Sequence, residues 1–405
     1  MLKKATGLTL VAILLAVLPA VEALAQGAKK YDTGASDTAI KLGQSIPYSG
    51  PASAFGVYGR VLQAYLRMVN DAGGVNGRKI ELISLDNGFL PPKALEASRK
   101  LVESEGIFAE FATLGTPPNV ATRTYLNSKG VPQLFVSSGA SKMDDPKQFR
   151  WTVAWYTRFD FEAAVYAKYL MQEKPGAKIA VLYQNDDFGR DYLNGFRKAL
   201  GDKAKMIVAE ATFDLTDPTV DSQIIALKAS GADTLIVFGT PKFTAQAIRK
   251  SADLGWNALR IVCSPGSSIE GSLKPAGLDN SVGVLTTQIL KDPDDAAFAD
   301  DADVKDFLAF MKKWAPQESP RDSNSVAAYV VGQTMVDVLR RSGDELTREN
   351  VLKNATSLKD FKAKMLLPGI ALNNSPQSYT SFRQYQLSRF DGTSWKPFGP
   401  IYSAD

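Results

Sequence analysis

Short apolar runs alternate with amphipathic helical patterns along most of this 405-residue chain, and that alternation restricts the fold more than any other feature. Runs of this kind, separated by helices, build parallel sheets covered by helices on both faces. Apolar runs at 40–46, 79–85, 107–111 and 132–136, with helical patterns at 57–72, 92–105 and 119–128 between them, predict a first lobe. Within its first helix Val61, Leu62, Tyr65, Leu66 and Val69 recur at helical spacing. Gly73-Gly74 stops that helix and Asn76-Gly77 turns the chain into the next strand. The plan then repeats. Helices at 161–172, 189–200, 220–229 and 244–254, alternating with strands at 178–183, 207–209, 234–238 and 260–263, predict a second lobe.

A strand at 282–287, helices at 304–314 and 325–341, and an alternating segment at 381–390 that ends in the turn Asp391-Gly392 carry the chain back and forth. Crossings are expected near Trp155, Leu285 and Tyr379. They divide the chain into an N-terminal lobe of 38–155 plus 286–378 and a C-terminal lobe of 156–285 plus 379–405. The expected class is α/β, with two doubly wound parallel-sheet lobes on a three-crossing hinge, a design that closes around a ligand. The length also exceeds what one hydrophobic core ordinarily serves.

The N-terminus carries its own message. Lys3 and Lys4 precede the apolar run 8–18, then Pro19 and the small-residue pattern Ala23-Leu24-Ala25. This reads as a secretory signal peptide over 1–25, cleaved near Ala25, with a flexible leader at 26–37. The run is shorter than the roughly 20 residues of a spanning helix, and no later segment is long and apolar enough, so no membrane insertion is expected after cleavage. Cys263 is the only cysteine, which rules out an internal disulfide and reads as a small apolar residue at a strand end.

The chain contains no histidine, which excludes Ser-His-Asp and Cys-His nucleophiles and His-ligated zinc. There is no G-x-S-x-G elbow, Walker loop or dinucleotide fingerprint, so neither an enzyme nor a cofactor is expected. Net charge is +4 with both signs interspersed, a poor match to nucleic acid. The acidic stretches 292–295 and 300–303 lack calcium-loop spacing and read as solvated loops, so no metal site is expected.

Ligands of open α/β sheets bind beyond the carboxyl ends of the strands. The segment 47–56 after the first strand is rich in glycine and proline and contains Phe55. The third strand leads into Thr113-Leu114-Gly115-Thr116-Pro117-Pro118-Asn119, and the fourth into Ser137-Ser138-Gly139-Ala140-Ser141. Hydroxyls together with helix-start amides at such loops suit a carboxylate. From the second lobe, Phe188 follows Asn185-Asp186-Asp187, and Gly239-Thr240-Pro241 and Ser264-Pro265-Gly266 end later strands. Asp186 and Asp187 read as helix-start acids. Trp151, Trp155 and Tyr156 cluster at the first crossing, as core or as an aromatic hinge lining.

With these residues in view, 40–51 with Phe55-Gly56, the segment Asn70-Asp71-Ala72-Gly73-Gly74-Val75-Asn76-Gly77-Arg78 and the segment 183–189 resemble the leucine/isoleucine/valine-binding protein family, receptors of branched-chain amino acid type ABC importers. The resemblance implies a type I periplasmic binding fold, a small-molecule ligand, an inner-membrane ABC permease as partner, a periplasmic location and a monomer. It places Thr116 in the family's Ser/Thr loop, Gly139 and Ser141 where backbone and hydroxyl hold the ligand carboxylate, and Phe55 and Phe188 beside the ligand; Gly115 and Ser138 join the candidate site as neighbours in the same strand-end loops. Where the family's amino-acid binders carry an acidic residue for the ammonium this chain has Pro265, and where an aromatic hydroxyl helps it has Thr240; Glu270 is the nearest alternative source of the charge. The expected ligand is therefore a carboxylate with an apolar or aromatic body and no α-ammonium. The alternatives are an amino-acid or amide receptor with a rearranged ammonium site, or a periplasmic sensory protein.

Overall fold

The computed structural model describes residues 29–403, so the segment read as a signal peptide lies outside the described residues. Two larger sheets organise the chain. The first has the order β3-β2-β4-β5-β6, all parallel, from β2 (Ala39–Ile46), β3 (Lys79–Asp86), β4 (Ala109–Phe111), β5 (Gln133–Val136) and β6 (Thr152–Ala154). The second has the order β14-β13-β11-β10-β9-β7-β8, from β7 (Ile179–Gln184), β8 (Ile207–Phe213), β9 (Thr234–Phe238), β10 (Leu259–Val262), β11 (Leu285–Gln288), β13 (Gln384–Phe390) and β14 (Trp395–Ser403). Its strands β7 to β11 run parallel, and the β13–β14 hairpin adds an antiparallel edge beside β11. The strands β1 (Lys30–Tyr31) and β12 (Glu345–Leu346) form a small parallel pair.

Helices run between these strands as the alternation predicts. In α1 (Gly56–Asp71), Val61, Leu62, Tyr65 and Leu66 are all buried, as their spacing requires. It packs on the long helix α9 (Ser323–Ser342), where Gly332 leaves room for the Tyr65 ring. The helices α2 (Pro91–Arg99), α3 (Thr116–Ser128) and α7 (Pro241–Asp253) carry proline in their first turn, where the missing N–H costs nothing. Longer helices between sheet strands also include α4 (Phe159–Glu173), α5 (Asp187–Leu200) and α6 (Asp221–Ala229). After β11 come α8 (Ala302–Trp314), α9 and α10 (Arg348–Ala355). Cys263 is buried and unpaired.

Four expectations change. Strand β11 hydrogen-bonds within the second sheet, so the crossing back falls after Gln288 rather than at 285/286. Near the last crossing, Tyr379 and Ser381 still bond to Arg150 and Ala154 of the first lobe, and the chain joins the second sheet at Gln384 rather than at 379. The leader is ordered from residue 29: Tyr31 hydrogen-bonds Asp37 and Arg78, and β1 pairs with β12. The acidic stretches are structural. Asp292 accepts the Trp395 amide at 2.8 Å, the nearly buried Asp295 meets Lys396 at 2.8 Å, and Asp301 caps α8 and holds Lys291 at 2.7 Å.

Candidate functional site

The carboxyl ends of both sheets face one another across a cleft. In it lies a cavity with about 420 Å³ of unfilled space, mouth included. Phe55, Phe89, Leu114, Gly115, Thr116 and Ser137 wall it from the first lobe. Tyr156 and Phe159 stand at the first crossing, Phe188, Thr240 and Pro265 close it from the second lobe, and Asn324 enters from the start of α9. Among the described residues, none that lines it is charged.

Local geometry fixes the aromatic walls. The Asn87 Oδ1 accepts the Phe89 amide at 2.8 Å and holds that residue in a left-handed conformation, with φ 64°. Its ring then lies against Gly115, where a Cβ would stand 2.5 Å from Phe89 Cε2, so this loop accepts only glycine. On the other side, Asp186 caps α5 by accepting the amides of Phe188 (2.9 Å) and Gly189 (3.2 Å), which sets Phe188 at the helix start. Phe188 meets Phe159 edge-on at 5.2 Å between ring centres. Phe159 stacks on Tyr192 at 4.5 Å, and Tyr192 on Phe238 at 4.9 Å. The cavity's second wall is thus the end of an aromatic column rooted in the core.

Hydrogen-bonding capacity is sparse and specific. The Thr116 and Ser138 hydroxyls lie 2.7 Å apart. When Ser138 donates to Thr116, the Thr116 proton is left for an acceptor in the cavity. Ser137 adds a hydroxyl beside that of Tyr58, and Tyr156 adds another, paired with Ser264, whose acidity burial suppresses. Thr240 donates to Gln184 at 3.1 Å. Backbone amides contribute less than the loops promise. Pro117 and Pro118 carry no N–H, and the Asn119 amide returns to the Gly115 carbonyl. In the 47–56 segment the amides of Tyr48 and Ser49 bond Asp86, and those of Ser53 and Phe55 bond Gly50 and Ala52 carbonyls.

Behind Tyr156, the buried Glu162 carboxylate accepts the hydroxyls of Tyr166 (2.5 Å), Tyr192 (2.7 Å) and Ser264 (2.7 Å) and the Ser264 amide (2.7 Å). Burial raises its pKa, and these donors oppose the rise. Glu162 is therefore committed to the wall and is not a free partner for a ligand.

Of the residues expected from sequence, Phe55, Gly115, Thr116, Phe188, Thr240 and Pro265 line the cavity. Three do not. Ser138 stands behind the wall against Thr116. Gly139 is pressed on the Thr157 carbonyl, where a Cβ would meet the oxygen at 1.7 Å. Ser141 is turned to the opposite lobe, its amide and hydroxyl both bonded to Asp191. Glu270 pairs with Lys274 at 3.0 Å and accepts from Ser319, away from the cavity. Phe89, Phe159 and Asn324 were not expected. Phe89 follows the end of β3 directly, so the strand-end rule reaches it, whereas Asn324 comes from a helix start far along the chain that no local signal marks. Of the crossing aromatics, Tyr156 lines the cavity, while Trp155 is core, its indole N–H bonded to Thr334.

Three comparisons with known proteins agree with this geometry. Residues 39–388 match the family model described as periplasmic binding protein. A Leu/Ile/Val-binding protein homolog of Brucella abortus (homolog 7) is 24% identical over 319 residues, 75% of this chain and 77% of its own length. Among solved structures, a branched-chain amino acid ABC transporter protein from Thermus thermophilus with bound valine aligns at a TM-score of 0.81, with 16% identity over 91% of this chain and 97% of that one. A fatty acid ABC transporter substrate-binding protein from Thermomonospora curvata aligns at 0.76, with 20% identity over 93% and 95%. At such identities the likeness to solved structures carries the fold alone.

Proposed function

Because the chain belongs to the periplasmic binding protein family, we propose that it is the periplasmic receptor of an ABC importer and captures a small organic acid with an aromatic or short aliphatic body and no α-ammonium. The single observation behind this reading is the cavity itself: ringed by Phe55, Phe89, Phe159 and Phe188, with no charged side chain in its lining. An ammonium buried there without a carboxylate costs several kcal/mol, which removes amino-acid affinity by orders of magnitude. A carboxylate fares better, because the Thr116–Ser138 pair, Ser137 and Tyr156 offer hydroxyl donors. The two structural relatives, one with valine bound and one named for fatty acids, indicate that this fold serves ligands with and without an ammonium.

The role is capture and delivery, not turnover. Ser141–Asp191, Lys142–Asp187 (2.9 Å) and Ser268–Asp322 (3.1 Å) bridge the lobes, so closure buries the ligand and creates the surface a permease reads. The test is a thermal-shift screen of the mature protein against amino acids, aromatic acids, short fatty acids and dicarboxylates. A ligand at 100 times its dissociation constant adds about 2.7 kcal/mol of stability. Stabilisation by organic acids supports the reading; stabilisation confined to amino acids refutes the ligand class.

A further inference from the structure

A second cavity, with about 440 Å³ of unfilled space, lies against the first, and Tyr156 and Asn324 wall both. Its character is different. Where the first chamber is ringed by phenylalanines, the second presents Ser264, Thr287, Gln288 and Ser323 beside the apolar Trp155, Ile289, Leu290 and Ala327. Among the described residues, the Asn324 Oδ1 and the Gln288 Oε1 accept no hydrogen bond. The Asn324 amide group donates to Asp322 at 2.9 Å, and that of Gln288 reaches Ser267 only at 3.4 Å. The Ser264 hydroxyl donates to Glu162 at 2.7 Å and meets the Tyr156 hydroxyl, so it is already paired on both sides. The second chamber is therefore polar and neutral: the Asn324 and Gln288 side-chain oxygens accept, and their spare amide protons and the Ser323 hydroxyl donate. Such a site suits a neutral group that both donates and accepts, a hydroxyl above all.

We propose that this second chamber holds the far end of the same ligand, so that the substrate class is an organic acid bearing a neutral hydrogen-bond donor opposite its carboxylate. The inference rests on the organic-acid reading above. The carboxylate stays by Thr116 and Ser137, the apolar body passes between the phenylalanines, and the donor end reaches past Tyr156 and Asn324 toward Gln288. An unsubstituted acid leaves the acceptors of the second chamber to water and gains nothing from them.

Calorimetric titration of the mature protein with two matched pairs tests this: 3-phenylpropanoate against 3-(4-hydroxyphenyl)propanoate, and hexanoate against 6-hydroxyhexanoate. In at least one pair the hydroxylated acid is expected to bind about tenfold tighter, the value of one well-formed hydrogen bond in a buried site. Gln288→Leu and Ser323→Ala, each verified as folded by circular dichroism, should abolish or sharply reduce that preference while leaving the dissociation constant of the unsubstituted acid unchanged. Equal affinities within both pairs, or a preference that survives both variants, overturns the second-chamber assignment alone. Binding of none of the four acids overturns the organic-acid reading and this inference with it.

Discussion

Ser141 and Asp191 meet across the cleft. The Asp191 carboxylate accepts the Ser141 amide at 2.9 Å and its hydroxyl at 2.5 Å. One residue belongs to the loop after the first sheet's β5 and the other to α5, so this contact joins the two lobes across the cleft. A protein carboxylate thus occupies the donors that sequence reasoning reserved for the ligand's. The pair stabilises the closed form with charge-assisted bonds. Asp191→Ala should shift the population toward open, raise the radius of gyration of the liganded protein in small-angle scattering and weaken every ligand by about tenfold without changing their ranking. Unchanged scattering and affinity would show that closure does not depend on this pair.

Phe188 closes the cavity from the second lobe; the Asp186 cap holds its backbone, and its ring rests on that of Phe159. Phe188→Ala should therefore leave the fold intact and remove apolar contact worth about 2–3 kcal/mol, a loss of some 30- to 150-fold in affinity. Calorimetry against the best organic acid checks this. A loss below threefold would place the ligand elsewhere.

Gly139 contributes by what it lacks. A Cβ there would collide with the Thr157 carbonyl and the Phe159 ring, both beside the first crossing. Gly139→Ala should destabilise the protein by about 1–3 kcal/mol and lower affinity as well, because Phe159 must move. Thermal unfolding and titration together test this, and an unchanged melting temperature would contradict it.

Glu110, on β4 inside the first sheet, is fully buried, and neither of its oxygens has a hydrogen-bond partner among the described residues. Burial pushes its pKa up from 4.5 to about 7, and the Ser98 hydroxyl is the one group that opposes the rise. The folded protein holds a proton there that the unfolded chain releases. The stabilisation is complete below the unfolded value and is lost as pH rises through the folded one, so from pH 4.5 to 7 stability falls by about 3 kcal/mol on this account. In Glu110→Gln that component should vanish. Urea unfolding of both proteins across this range should show their difference moving in favour of the variant as pH rises. A constant difference would mean the carboxylate is ionised in the fold.

The sheets were legible because each buried strand is a short apolar run between turn residues, and the ligand loops because they sit at strand ends. Helix starts were harder. Pro117, Pro118 and Pro241 look like stops before the helices at 119 and 244, yet they occupy the first turns of α3 and α7, where proline fits. The three-residue strand β6 is hidden among Trp151, Trp155 and Tyr156. Strand β14 is broken up by Pro397, Gly399 and Pro400 and pairs irregularly with β13. Ser141 was visible as a loop hydroxyl, but its partner lies 50 residues away on another lobe. A pairing made by closure leaves no local pattern. Asn324 escaped for the same reason.

The central claim is that an uncharged aromatic cleft selects acids that lack an ammonium. The most direct measurement is a calorimetric titration of the mature protein with 3-phenylpropanoate and with L-phenylalanine, which differ by one α-amino group. Binding of the acid is expected, with a loss of at least about a hundredfold for the amino acid, the cost of burying an unpaired ammonium. Equal or tighter binding of L-phenylalanine would contradict it.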